Sequence, residues 1–210
     1  VFRDGRRIAG RTEESVARAV GLRWIPPELR ENWGELAAAR AGRLPRLIEL
    51  SDIRGDLQCH TTASDGRNTL QAMVHAAEAL GYEYLAITDH TPAVRITGGL
   101  DRTGFLRQAR AIDRLNGRSR LTILKGAEVD ILRDGRLDLD DETLGGLDLV
   151  VISVHSFFDL SPREQTRRVV RALCHPAVRI LAHPTGRMID GRAPIRLDWS
   201  KVFEAGAGEG

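Results

Sequence analysis

Asp56-Leu57-Gln58-Cys59-His60-Thr61-Thr62-Ala63-Ser64-Asp65-Gly66 packs a strand-like run, a histidine and a carboxylate into one short stretch. The theme returns down the chain. One apolar run ends in Thr88-Asp89-His90, and another leads to Gly126-Ala127-Glu128-Val129-Asp130. Two more end in Ser153-Val154-His155 and in Ala182-His183-Pro184. Polar, metal-binding residue types thus recur just past strand-like runs, and these ends are expected to converge on one metal site.

Between the runs lie helical patterns. Asn68 to Leu80 places Leu70, Met73, Val74 and Ala77 on one face, with Asn68 and Gln71 resembling a capping box and Gly81 as the stop. Thr103 to Leu115, a short stretch within Asp138 to Leu144, Pro162 to about Cys174, and Trp199 to Ala205 read as further helices. Tyr84–Thr88, Leu121–Leu124, Leu149–Ser153 and Val178–Ala182 read as strands. Strands alternating with helices imply an α/β fold built from βα units around a parallel sheet. In βα barrels the rim at the C-terminal strand ends is where catalytic side chains gather.

Of six histidines, His60, His90, His155 and His183 follow strand-like runs, and the carboxylates Asp65 and Glu128 hold comparable positions. Imidazole with carboxylate suits zinc, manganese or iron. Holding cations within about 4 Å of each other needs anionic bridges, a role for which Glu128 is the best candidate. Asp89 and Asp130 are candidates for orienting ligand rings from behind. His75, off the apolar face of its helix, and His175, beside Pro176, are read as ordinary surface or loop residues. The acidic run Asp138-Leu139-Asp140-Asp141-Glu142 is read as a solvated helix start. Cys59 points opposite to Gln58 and His60 if its run is a strand, which puts it in the core. Cys174 is expected to be buried in a helix.

Composition sets wider bounds. The chain has 210 residues, is 42% hydrophobic and 29% charged, and carries a net charge of +2, ordinary for a globular protein. Nearly all positive charge is arginine; the lysines are Lys125 and Lys201. Two cysteines make neither a disulfide framework nor a metal-binding pair, so a reducing, cytoplasmic setting is expected. No run approaches the roughly 18 apolar residues of a membrane span. Residues 1–50 differ in texture from the rest. Arg3-Asp4-Gly5-Arg6-Arg7 reads as a hairpin, Thr12 caps a short helix ending near Gly21, and a weak helix follows Pro26-Pro27 from Glu28 to Ala39. The segment is read as the end of a neighbouring domain plus a linker, with the metal domain over 51–210. The missing start Met and the glycine-rich end, Gly206-Ala207-Gly208-Glu209-Gly210, are read as a chain cut at both ends.

The motifs His60, Ser64-Asp65-Gly66, Thr88-Asp89-His90, Glu128, Ser153-Val154-His155 and His183-Pro184 resemble those of PHP (polymerase and histidinol phosphatase) domains over about Gly55 to Gly186. Three segments are similar to bacterial family X DNA polymerases: Gly126–Leu132, His183–Arg187, and Trp24-Ile25-Pro26-Pro27-Glu28-Leu29-Arg30-Glu31. The last resembles the tail of the polymerase core just before the PHP domain. The resemblance implies a distorted seven-stranded, TIM-like (β/α) barrel, incomplete here at its C-terminal side. It also implies two or three divalent metals, manganese or zinc, and 3′-to-5′ exonuclease and 3′-end processing of gapped or damaged DNA in repair.

On that reading His60, Asp65, His90, Glu128, His155 and His183 hold metal. Catalysis falls to Glu128, Asp65 and His90 through activated water, and Arg67 and Arg187 contact backbone phosphates. Two departures stand out. Gln58 replaces the first histidine of the family's His-x-His, which weakens one metal position. The family's closing Asp-x-His after a last strand is not present. The competing readings are a stand-alone phosphatase of small substrates such as histidinol phosphate, and a catalytically impaired module that supports a polymerase.

Overall fold

β3 (Gly55–Cys59), β4 (Tyr84–Ile87), β5 (Thr122–Asp130), β6 (Leu149–Ser153) and β7 (Val178–Leu181) lie side by side in chain order, every neighbouring pair parallel. Parallel neighbours require crossovers. α3 (Leu70–Ala79), α4 (Arg102–Asn116), α5 (Asp141–Gly145) and α6 (Pro162–Leu173) supply them, and α7 (Trp199–Ala207) follows β7. The computed structural model describes residues 1–208; Glu209 and Gly210, in the stretch read as a cut end, lie outside the described residues.

Alternation along the strands sorts the core. Leu85 and Ile87 pack with Val74 and Ile112, whereas Val129, Val150 and Ile152 pack with Phe105, Val169 and Ala172. These residues look towards the helices. The opposite parity, Ala86, Leu149, Val151 and Ala182 with Leu124 and Ile180, forms a third cluster made of strand-region residues alone. Helices therefore cover one face and the other lines a barrel-like interior. Four strand spacings separate β3 from β7, about 19 Å in a flat sheet. Yet His60 after β3 and His183 after β7 both reach the Glu128 carboxylate, at 3.1 and 2.8 Å. The sheet is curled into a half-barrel, five strands of a (β/α) barrel among the described residues.

Several elements depart from expectation. β5 is one strand of 9 residues rather than a run ending at Leu124. Gly126 lets it continue past β4: a Cβ there would meet Ile87 O at 2.9 Å and Thr88 Cγ2 at 2.8 Å. Glu128 therefore sits within a strand, not beyond one. α3 is capped by Thr69, whose side chain accepts from Ala72 N–H, not by Asn68. Cys174 is the exposed C-cap of α6 rather than a buried helical residue. Cys59 is buried, as alternation requires, and burial pushes its thiol up to about 12.

Residues 1–52 form a separate compact unit. β1 (Phe2–Arg3) and β2 (Arg6–Arg7) pair through Asp4 and Gly5, both at positive φ, as a tight primed turn demands. α1 (Glu13–Ala19) has a Thr12–Ser15 capping box, and Glu13 accepts from Arg30 at 2.6 Å and Trp24 at 3.1 Å. The helix expected from Glu28 to Ala39 is instead a 3-10 turn, Pro27–Leu29, and α2 (Glu35–Arg40). Asn32 and Gly34 between them take positive φ, which no right-handed helix accommodates.

Arg168 holds two rim loops together. It is 1% exposed. It donates to the carbonyls of Ile131 and Leu132 after β5, and to Ser156 O after β6 at 2.9 Å. Gln165, also buried, donates to Phe157 O at 2.6 Å. Replacing Arg168→Ala removes the donor from the carbonyls of Ile131 and Ser156, whereas Leu132 O keeps Gly135 N–H at 2.9 Å; it is expected to cost ~2 kcal/mol or more, read as a fall in the denaturant midpoint at unchanged m-value.

Candidate metal centre

Every rim loop of the half-barrel contributes to one cluster. His60 leaves the end of β3, Asp65 lies in the turn beyond it, and His90 follows β4. Glu128 rises from β5, His155 from the end of β6 and His183 from the end of β7. Glu128 is at the centre and 1% exposed. Its Oε2 lies 3.1 Å from His60 Nε2 and 3.6 Å from His90 Nδ1. Its Oε1 lies 3.3 Å from His155 Nε2 and 2.8 Å from His183 Nε2. One carboxylate thus serves two imidazole pairs, one per oxygen. Neighbouring rings in the series His60, His90, His155, His183 are 4.4, 5.1 and 5.1 Å apart, an arc around that carboxylate. Asp65 closes the first half, Oδ1 at 3.1 Å from His60 Nδ1 and Oδ2 at 3.6 Å from His90 Nε2.

The electrostatics follow from that geometry. Burial opposes ionisation of Glu128, but His155, His183 and His60 outweigh it and hold its carboxyl well below the usual range. His60 is raised, chiefly by Glu128. His90 is lowered, chiefly by burial. Burial works against the charged form of His155 too, yet hydrogen bonding to Asp130 and Glu128 lifts it to about 9.

The residues fit divalent cations. The triplets His60–His90–Glu128 and Glu128–His155–His183 each offer ligand atoms within 4.8 Å of one another. The buried Nδ1 atoms of His60 and His90 have no hydrogen-bond partner, although carboxylate oxygens lie near both. Buried polar atoms rarely stay unpartnered, and a cation between ring and carboxylate satisfies both. Imidazole with carboxylate suits zinc, manganese or iron.

Behind the cluster the two aspartates work differently. Asp89, fully buried, accepts from Thr61 N–H at 2.7 Å, Thr61 Oγ1 at 2.7 Å, Ser64 Oγ at 2.6 Å and Gln108 Nε2. It fixes the loop carrying His60 and Asp65 and makes no hydrogen bond to an imidazole among the described residues. Asp130 accepts from His155 N–H at 3.0 Å and Ser156 Oγ at 3.1 Å, with the His155 ring at 3.6 Å. His183 is held at φ 24°, a left-handed value costly outside glycine. Its loop is braced by Arg192, which stacks on Phe158 and donates to Gly186 O at 2.8 Å.

Arg67 and Arg187 are exposed on loops that follow Asp65 and His183, outside the cluster. His75 is exposed on α3, and His175 faces Asp141 at 3.4 Å and precedes β7, at the strand end opposite to the rim. Of the acidic run, Asp140 caps α5, Glu142 pairs with Arg102, and Asp138 accepts from Ala93 N–H at 2.6 Å. Sequence reasoning missed Gln108, Gln165 and Arg168. Each is a polar residue at helical spacing from apolar ones, Phe105 and Ile112 or Val169 and Ala172, and that pattern marks a buried polar anchor.

Gly66 has no room for a side chain: a Cβ would lie 2.4 Å from His60 O and 2.7 Å from Thr61 N. Gly66→Ala is expected to push the His60–Thr61 peptide away, pulling Thr61 N–H off Asp89, and cost about 1–3 kcal/mol, seen as a lowered Tm together with loss of amide-exchange protection at Thr61.

Comparison with known proteins accords with this geometry. Residues 56–182 match the PHP domain, and residues 1–31 match the DNA polymerase beta thumb. The chain is 42% identical over 185 residues to the DNA polymerase/3′-5′ exonuclease PolX of Bacillus subtilis, covering 88% of this chain and 32% of that protein. It is 37% identical over 155 residues to a probable phosphatase of Acetivibrio thermocellus, covering 71% and 59%. It is 30% identical over 159 residues to a probable phosphatase of Syntrophotalea carbinolica, covering 74% and 62%. The chain thus spans from about a third to just over three fifths of the length of these curated relatives. With the family match extending from the strand before His60 to the residue before His183, the chain belongs to the PHP domain family.

Proposed function

We propose that this chain is the metal-dependent phosphoesterase part of a bacterial family X DNA polymerase, hydrolysing DNA from the 3′ end during repair in the cytoplasm. The observation that carries the reading is Glu128, one buried carboxylate with a pair of imidazoles at each oxygen. Such a site holds two cations side by side, as phosphoester hydrolysis commonly requires. The likeness to a polymerase/exonuclease over 88% of the chain, and the thumb match over residues 1–31, favour DNA as the substrate and a polymerase core as the upstream neighbour.

In this reading His60, Asp65, His90 and Glu128 hold one manganese or zinc ion, and Glu128, His155 and His183 a second. Bound divalent cations lower the pKa of water, neutralise the phosphoryl oxygens and stabilise the departing alkoxide. The chain's own residues set the geometry. Glu128 fixes the spacing, Asp89 and Asp130 hold the loops, and Asp65, whose side chain is 44% exposed, faces the open side where substrate enters. Water adds to the terminal phosphorus as the bond to the preceding O3′ breaks, releasing a nucleoside 5′-monophosphate and a new 3′-hydroxyl. Arg67 and Arg187, exposed beside the rim, contact backbone phosphates.

Gln58 favours a second reading, a module impaired in catalysis that supports the polymerase. It is half-buried near the end of β3, two residues before His60. An amide is a poor ligand for these metals.

Incubation of the chain with a 3′-labelled DNA strand is expected to release mononucleotides only with manganese or zinc. Metal-dependent turnover of histidinol phosphate with no action on DNA would overturn the reading in favour of a small-molecule phosphatase. Glu128→Gln is expected to lower bound metal and to slow hydrolysis by roughly 100-fold or more, with His75→Ala unchanged in both. Gln58→His is expected to raise metal bound per chain, measured by atomic emission after dialysis. Full metal content with no nuclease in that variant would favour the supporting module.

A further inference from the structure

A cavity of about 480 Å³ lies between the loop after β5 and the segment leading into α6. Its walls include Arg133, Arg136, Phe157, Leu160 and Arg167. The volume falls within the roughly 300–1,000 Å³ of ordinary ligand sites. Phe157, in its wall, is two residues beyond His155 on the same rim loop. We propose that the cavity seats a nucleotide of single-stranded DNA, the base stacked on Phe157 and the flanking phosphates held by Arg133 and Arg167.

Three independent features carry the assignment. Phe157 is 40% exposed and sits at φ 55°, a left-handed value unfavourable for a bulky residue. Buried anchors hold it there, Gln165 on its own carbonyl at 2.6 Å and Arg168 on the carbonyl of Ser156 at 2.9 Å. The fold thus spends buried hydrogen bonds on keeping an aromatic ring at the surface, away from the core. Secondly, the guanidinium carbons of Arg133 and Arg168 each lie 5.5 Å from that ring, an aromatic framed by cations. Thirdly, the charge is available. The wall carries Arg133, Arg136, Arg167 and Arg168 against two acids, Asp134 and Glu164, and Asp134 pairs with Arg136 at 2.7 Å. Arg168 is committed to carbonyls. Among the described residues, Arg133 and Arg167 have neither a hydrogen-bond acceptor nor an ion-pair partner. An aromatic platform with free arginines is what unpaired nucleic acid selects: each base has a face to stack, and guanidinium suits phosphate.

This rests on the reading of the chain as a DNA 3′-end hydrolase, and gives the unpaired strand a second hold on the chain besides the metal centre. It is tested by fluorescence anisotropy with a 5′-labelled oligodeoxythymidine of roughly 12 nucleotides, in EDTA so that no cleavage occurs. Phe157→Ala is expected to weaken binding about five- to a hundredfold, the value of one base–aromatic stack, and Phe157→Trp to preserve it. Arg133→Ala with Arg167→Ala is expected to weaken binding and to flatten the salt dependence by about 0.7 logarithmic units for each phosphate no longer neutralised. Thermal melting checks the fold; if Phe157→Ala melts early, Phe157→Leu keeps the apolar bulk without the flat ring and is read in its place. Wild-type binding in all these variants, or an oligomer bound no tighter than dTMP, overturns the proposal. Loss of 3′-end hydrolysis in the wild type with Phe157-dependent binding intact would sink the activity and leave the subsite. Hydrolysis indifferent to Phe157, Arg133 and Arg167 would do the reverse.

Discussion

The carboxylate of Glu128 is the point on which the structure turns. It is buried among four imidazoles, two to each oxygen, and those imidazoles come from strands that would lie far apart in a flat sheet. A buried carboxylate without partners is untenable. The curl of the sheet brings the partners in from both edges. Curvature and site are therefore one requirement: flatten the sheet and Glu128 loses the groups that keep it charged, while His60 and His183 lose their common neighbour.

The rim is held from behind rather than from within. Asp89 ties the turn after β3 to α4 through Thr61, Ser64 and Gln108. Asp130 fixes the backbone of His155, and Arg168 joins the two loops on either side of it. Each anchor is charged and buried, so each is costly unless all its partners are in place. That all-or-none character suits a site in which imidazoles on separate loops must meet to within a few tenths of an ångström.

Much of this is legible in the chain itself. Alternation of apolar runs with amphipathic stretches marks the parallel sheet, and the recurrence of His and acidic residues after those runs marks the rim. What escapes are features that depend on neighbours. The length of β5 is hidden because Gly126 and Glu128 interrupt its apolar pattern, and only the close passage of Ile87 and Thr88 explains the glycine. The cap of α3 is misplaced by one residue because Asn68 and Thr69 are both good caps and only the loop path chooses between them. Cys174 is expected inside because its type is commonly buried, but it falls at the helix end, past the last buried turn. Asp89 is expected to orient a ring, and only the fold shows that its oxygens are all spent on a neighbouring loop and helix.

The thiol of Cys59 lies directly before the first imidazole of the site, on the opposite face of β3, and burial raises it to about 12. At neutral pH it is wholly in the SH form, and the thiolate is the species that peroxides and electrophiles attack. Burial and a suppressed thiolate both make this sulfur a poor target for oxidants on the strand that leads into His60. The chain's other sulfhydryl, on Cys174, is exposed at the far end of a helix, where its oxidation would leave the rim untouched.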